Sequence, residues 1–432
     1  MSSLPSVTTL LNSTVKRFLL LFCIGFIVRL GFNIANGWYL FSFDNEPQKI
    51  AHEIVRGNGF SNPFFLPTGP TAHLAPGFPG LLAGIYKLFG EGLPGLFIAD
   101  AMNAAISASV GALLPVAAIL CGVSPAVGFL AGLLYAVLPP QPYTEGKGGW
   151  EAAIGALLLI SAFIVVRKQI GSRNLESRTA VAVGLLMGLS GLFLPTLCPV
   201  IFGFLAILFF CKRKHISSLR PFGLIVVLVT FALLGPWLLR NRIVFGQWVP
   251  MRDNFGLELH VSYWDKATPT LAENIRVGNH AQVHPHASEA EALKVQEIGE
   301  IEYNRRQLKL AKAWIYQHPQ RFVQLTLKHF QLFWTAGIRF ALLIPFAMWG
   351  AVRIWKQDKA SFYLLSTALM VQPLIYYLVQ FEPRYRHPIE WAVVLAAVIG
   401  ASAIYQRGRA LVQPESVGVP VGRERDSGQR TR

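Results

Sequence analysis

Between Phe222 and Leu239 the chain carries no charged side chain, and between Ala360 and Val379 it again carries none. An apolar run near twenty residues matches the hydrocarbon core of a bilayer. There the backbone must satisfy its own hydrogen bonds, so such a run reads as a membrane-crossing helix. Comparable stretches fall at about 18–40, 95–120, 124–140, 150–167, 180–194, 196–211, 338–354 and 388–405, which gives about ten spans in all. Pro195 and Pro199 interrupt one long apolar stretch, so the fifth and sixth spans separate there. The composition agrees: hydrophobic residues make up 53% of 432 residues and charged residues 14%, with a mean hydropathy of +0.43. A soluble chain of this size needs more charge to cover its surface.

The net charge of +16 does not indicate nucleic-acid binding, because the basic residues cluster in short segments between spans and in the tail. That is the pattern of orientation signals. Arg167, Lys168, Arg173 and Arg178 form one cluster, and Lys212, Arg213, Lys214 and Arg220 a second. Arg353, Lys356 and Lys359 form a third, and the tail from Arg407 a fourth. All four fall on the cytoplasmic side if the N-terminus is cytoplasmic and the apolar segment 76–90 does not span. If 76–90 spans, all four move outside. The segment is short, proline-broken and followed by Glu91, so it is expected to be a juxtamembrane helix on the outer surface. Both termini are then cytoplasmic in a multi-pass protein of the cell (inner) membrane. Lys16 and Arg17 precede an apolar run without a small-residue cleavage site, which reads as a retained first helix. Cys23, Cys121, Cys198 and Cys211 lie in or at the ends of spans and indicate no disulfide framework.

The expected fold is thus an all-α polytopic membrane protein with outer juxtamembrane helices and a small helical extracytoplasmic domain. Residues 1–239 form an N-terminal bundle that includes a first outer loop at 42–94, and 240–337 form a large outer loop. Residues 338–405 form the last spans, and 406–432 a disordered basic tail. Within the large loop, Leu293, Ile298, Ile301, Leu308 and Ala311 recur at helical spacing, which predicts one helix from Ala290 to Tyr316 ended by His318 and Pro319.

Several residues could carry chemistry on the outer face. Asp44 and Glu46 stand past the end of the first span, ahead of the short helical stretch Pro47–Arg56. A carboxylate there can act as a general base toward a hydroxyl; helix capping by Asp44 is the commoner use of such a residue. Arg384 and Arg386 flank Tyr385 in the loop before the last span, against the positive-inside trend, and Arg240 and Arg242 end the seventh span. Guanidinium forks bind phosphate in pairs of hydrogen bonds, so Arg240, Arg384 and Arg386 are candidate ligands of a lipid phosphate. Anchoring, snorkelling to headgroups and local ion pairing are the alternatives. Arg29 lies in the first span and needs a partner there, for which Asp100 is a candidate. Glu151 heads the fourth span, and Glu151, His73, Tyr385 and Arg29 are candidates to line a cavity. His280, His284 and His286 lie near Pro285 without a helical context to set ligand geometry, and read as solvated loop histidines. Asp44 and Glu46 could bind a divalent metal; the sequence indicates no other cofactor.

The chain resembles the membrane glycosyltransferases of the GT-C fold, in particular the bacterial branch related to dolichyl-phosphate-mannose protein mannosyltransferases and lipid A aminoarabinose transferases. The resembling pieces are Asp44 after the first helix, A-x-x-I-x-x-G-x-G-F-S at Ala51–Ser61, and PGFPGLLAGIYKLFG. To these are added Glu151, GPWLLRN with VFG, and RYRHP before the last helix. The resemblance implies Asp44 as the base that takes the acceptor's proton, a polyprenyl-phosphate sugar as donor, and a juxtamembrane helix at 76–90. One departure is that Asn45 separates Asp44 from Glu46, where many relatives place the two acids side by side. The expected activity is transfer of a hexosyl or pentosyl group to a hydroxyl of a protein, lipid or polysaccharide at the outer face, with inversion. A transporter or flippase for lipid-linked glycans and a non-catalytic membrane assembly protein are the competing readings. No internal repeat of the kind transporters use is evident.

Overall fold

The computed structural model describes residues 14–40, 45–138, 146 and 150–412. Asp44, Glu145, Lys147 and the tail beyond Val412 lie outside the described residues. The protein is a multi-pass membrane protein built of helices. Ten of them occupy the expected spans: α1 (Thr14–Ala35), α4 (Leu93–Leu120), α5 (Pro125–Val137), α6 (Ala152–Gly171), α7 (Ser177–Phe193), α8 (Cys198–Cys211), α9 (Ile216–Phe245), α16 (Ile338–Gln357), α17 (Lys359–Val371) and α18 (His387–Val412). Six are long and apolar enough to cross a bilayer by length and composition alone. The break between α7 and α8 falls at Pro195, as the prolines require. The last helix runs on to Val412, through residues expected to be disordered.

Helix α18 lies in the middle of the bundle, with Ile389, Trp391, Ala392, Val394 and Leu395 fully buried. It approaches α16 without intervening side chains: a Cβ on Gly350 would collide with the Ala396 carbonyl, and one on Gly400 with that of Phe346. Small residues permit this close contact, which in a membrane supplies packing that hydrophobicity cannot. The opposite case is α9, where Leu224, Val227, Leu228 and Phe231 are exposed, as expected of a surface that meets lipid tails.

The segment 76–90 folds as α3 (Gly77–Phe89). Tyr39, just past α1, meets Phe97 of α4 ring to ring at 5.6 Å. The end of the first span and the start of the second are therefore at the same end of the bundle. Helix α3 buries Phe78, Leu82, Ile85 and Tyr86 and leaves Leu88 and Phe89 exposed. At the other end, Arg167 of α6 pairs with Asp358, which caps α17, while Ser361 donates to the Leu120 carbonyl at the end of α4. The basic clusters thus gather at one end, and the two large loops at the other.

Those loops fold onto each other. The large loop forms α10 (Phe255–Ser262), α11 (Leu271–Arg276), α12 (His280–Val283), α13 (Glu289–Ile298), α14 (Glu300–Gln317) and α15 (Pro319–Thr335). The helix expected over 290–316 is broken at Gly299, whose φ of 77° lies in the left-handed region that glycine tolerates. Phe64 of the first loop is buried in the core formed by Leu257, Val261, Ala292, Val295 and Tyr303. Main-chain bonds reinforce the contact, from Phe65 to the Pro285 carbonyl and from Asp253 to that of Ala72.

Candidate functional site

The first loop enters the site through α2 (Glu46–Val55). Its N-cap is Asn45, whose Oδ1 accepts from the Gln48 N–H at 3.2 Å, and Pro47 occupies the first turn. Capping is thus done by Asn45, in place of the capping role considered for Asp44. Glu46 opens the helix, and one ligand atom from each of Glu46, His73 and His284 lies within 4.8 Å of the others. His73 and His284 are buried, and His73 Nδ1 has no hydrogen-bond partner among the described residues. His280 stacks on His284 at 4.5 Å, and the His286 N–H donates to His284 Nδ1 at 3.2 Å. This corrects the reading of these histidines as solvated. The loop that carries them lies beneath the first loop, so their neighbours come from residues distant in sequence.

Two imidazoles and a carboxylate are a donor set suited to a divalent cation such as zinc. Burial pushes His73 and His280 down to about 4, against the opposing pull of Glu46, and holds His284 well below its ordinary value. Burial alone would raise Glu46, but His286, His284 and His73 outweigh it and hold the carboxyl below its usual range. Neutral imidazoles and an ionised carboxylate are the forms that bind metal. The residues present, including the orphaned His73 nitrogen, therefore fit a metal ion.

Beside this cluster, the loop between α17 and α18 supplies a buried cation. Arg384 Nε lies 2.6 Å from Glu382 Oε2, and the guanidinium sits 3.5 Å from the centre of the Trp150 ring. Tyr385 stacks on Tyr376 at 4.5 Å, and Gln372 donates to the Tyr385 carbonyl. Burial would lower the Arg384 pKa, but Glu382 outweighs it, with Glu151 and Glu46 adding to the same field. Arg384 is therefore a permanent cation that senses all three carboxylates. Burial raises the carboxyls of Glu382 and Glu258.

The large loop contributes Arg252 and Glu258, which sequence reasoning missed. Arg252 Nε donates to Asn254 Oδ1 at 2.9 Å, and Asn254 Nδ2 donates to Glu258 Oε1 at 3.2 Å. The Gln380 N–H donates to Ser262 Oγ, and Leu271 and Phe381 exchange main-chain bonds with the neighbouring segment. These bonds staple α10 to the Glu382–Arg384 turn. The only sequence signal was a polar stretch, Arg252 to Asn254, followed by Glu258, which is weak.

The structure thus brings Glu46, His73, Glu151, Arg384 and Tyr385 together. It places Arg240, Arg386 and Arg29 elsewhere, each engaged with main-chain carbonyls. Arg240 donates to Thr71 and Phe60 at 2.7 and 2.8 Å and lies over the Trp237 ring. Arg386 donates to Phe333 and Ala336 and pairs with Glu390. Arg29 donates to Tyr135 and Ala136, the last turn of α5, where unsatisfied carbonyls welcome a cation.

Asp253 and Glu300 form a second acidic pair behind His73. Burial pushes Asp253 up to about 6, against Arg305, and Glu300 up to about 7, against its hydrogen bonds from Thr71 and Ala72. Asp253 Oδ2 is buried without a hydrogen-bond partner among the described residues. Both values lie above those of the unfolded chain. Their contribution to stability is therefore complete below about pH 4 and is lost as pH rises through 6 and 7. The Asp253→Asn variant is expected to melt a few degrees above the parent at about pH 8. That gain should vanish as the pH approaches 4 in a thermal-unfolding series.

No protein family's sequence profile matches the chain, and no curated protein matches it. Among solved structures, the chain is similar to the oligosaccharyltransferase of Archaeoglobus fulgidus in complex with Zn and sulfate, with a TM-score of 0.55 and 14% identity over 91% of this chain and 49% of that one. The archaeal oligosaccharyltransferase AglB from the same organism, in complex with an inhibitory peptide and a dolichol-phosphate, gives 0.54 and 14% over 92% and 51%. The apo form of the first of these oligosaccharyltransferases gives 0.54 and 14% over 92% and 52%. The chain spans about half the length of these enzymes. At this identity the likeness is one of fold: the chain has the GT-C-like membrane architecture they share.

Proposed function

We propose that the protein is a glycosyltransferase that moves a hexosyl or pentosyl group from a polyprenyl-phosphate donor to an acceptor hydroxyl at the outer face of the cell membrane. The observation that carries this reading is the meeting of three loops at one end of the bundle, away from the basic clusters. Glu46 comes from the first loop, Arg252, Glu258 and His284 from the large loop, and Glu382 and Arg384 from the last. The end without the basic clusters faces outward by the positive-inside rule. A lipid-linked sugar carries its own leaving group, so no nucleotide is needed there. The solved structures of similar fold support a lipid-linked donor, since one holds a dolichol-phosphate.

In the proposed reaction the acceptor oxygen attacks the anomeric carbon as the bond from that carbon to the phosphate oxygen breaks. The polyprenyl phosphate leaves with the electron pair, and the configuration inverts. Asp44, two residues before Glu46, takes the hydroxyl proton. Arg384 stabilises the charge that grows on the departing phosphate. Arg384 thus takes the role first divided among Arg240, Arg384 and Arg386, because the other two guanidinium groups are committed to carbonyls. Trp150 and Glu382 hold the Arg384 fork in place before substrate arrives. A divalent cation held by Glu46, His73 and His284 would add positive charge at the same end and tie the first loop to the large one.

The metal part of this reading has its own test. Protein stripped with a chelator and dialysed against zinc is expected to retain about one zinc per chain. The His284→Ala and Glu46→Gln variants are expected to retain far less. Equal zinc in all three would remove these residues as ligands.

A further inference from the structure

The segment Thr71–His73 is buried, yet it belongs to no helix and pairs with no strand. Its polar groups must find partners elsewhere, because an unpaired buried backbone group costs as much as a lost hydrogen bond. Each partner can be identified. The Thr71 N–H donates to the Phe60 carbonyl at 3.1 Å, and the Thr71 carbonyl accepts from Arg240 at 2.7 Å. The Ala72 carbonyl accepts from the Asp253 N–H at 2.8 Å. The Ala72 N–H donates to Glu300 Oε1 at 2.7 Å, and the Thr71 hydroxyl donates to Glu300 Oε2. That same hydroxyl oxygen accepts from the His73 N–H at 2.9 Å. One carboxylate therefore grips two successive residues and, through the Thr71 hydroxyl, fixes the amide of the third.

Glu300 can do this because Gly299 breaks the helix before it, so Glu300 opens α14 in the first turn rather than lying mid-helix. It is itself 6% exposed. A glutamine would keep the shape but not the hydrogen-bond pattern. Its amide nitrogen would donate to Thr71 Oγ, which already accepts from His73, and the hydroxyl hydrogen would lose its acceptor. An aspartate is one methylene shorter and would not span both partners.

We propose that Glu300 is a positioning residue for the metal cluster, setting through Thr71 and Ala72 the backbone that presents His73 to Glu46 and His284. This rests on the reading of those three residues as metal ligands. Residues that orient a ligand without touching the metal typically change affinity by about 10–100-fold.

The test is zinc affinity by competition with a fluorescent chelator, on the full-length protein in detergent. Glu300→Gln and Thr71→Val are each expected to weaken zinc binding by about 10–100-fold. Thr71→Ser, which keeps the hydroxyl, is expected to bind as the parent does. In a His73→Ala background, Glu300→Gln should weaken binding no further, because its effect passes through His73. A general structural role would not separate Thr71→Ser from Thr71→Val, nor disappear when His73 is absent. Unchanged affinity in both Glu300→Gln and Thr71→Val, or an equal further loss in the His73→Ala background, would overturn the proposal. If the parent itself binds no zinc, the metal reading fails, and this inference with it.

Discussion

Arg384→Ala is expected to reduce glycosyl transfer by about 10²–10³-fold, the range seen when a preorganised charge-stabilising donor is removed. Arg384 is a cation placed among Glu382, Glu151, Glu258 and Glu46, with its guanidinium against Trp150. Arg384→Lys keeps the charge but loses both the fork and the flat face that packs on the indole. It should recover only part of the activity. Arg240→Ala gives the contrasting outcome: its guanidinium holds the Phe60 and Thr71 carbonyls, so the loss should be in thermal stability of the loop. Transfer measured with the purified variants separates the two, provided each elutes as a folded species.

Asp44→Asn is expected to remove about 10²–10⁴-fold of the transfer rate while expression and melting temperature stay at the parent's level. The cap of α2 is supplied by Asn45, so the first turn of that helix does not depend on Asp44. A drop in stability matching the drop in rate would argue for a structural role. Normal transfer would remove Asp44 as the base.

How far the sequence foretold all this depends on the range of the interaction concerned. Spans are local: each is a run of apolar residues long enough to cross, and charge parity between runs placed α3 on the surface. The contact of Tyr39 with Phe97 puts the end of the first span and the start of the second at the same end of the bundle, which that placement requires. The helix break at Gly299 was hidden because apolar spacing continues across it, and a single glycine in a helical pattern is ambiguous until φ is known. The site depends on loops that meet only after folding. His73 and His284 are brought to Glu46 by the docking of the first loop on the large one, which spacing along the chain cannot express. Arg240 looks like an anion ligand in sequence because its partners include main-chain carbonyls, which carry no sequence signature, whereas Arg386 divides itself between such carbonyls and Glu390 four residues on. Arg384 escapes that fate because its neighbours are carboxylates and an indole, which leaves a cation facing the site.

The most direct test of the central claim follows the donor itself. Membranes carrying the parent or Asp44→Asn would be extracted, and the ratio of sugar-loaded to free polyprenyl phosphate measured by mass spectrometry. Loaded donor is expected to accumulate with Asp44→Asn, and free polyprenyl phosphate with the parent, together with the same sugar mass appearing on an envelope component. An identical ratio in the two membranes, with no sugar mass gained by any component, would contradict it.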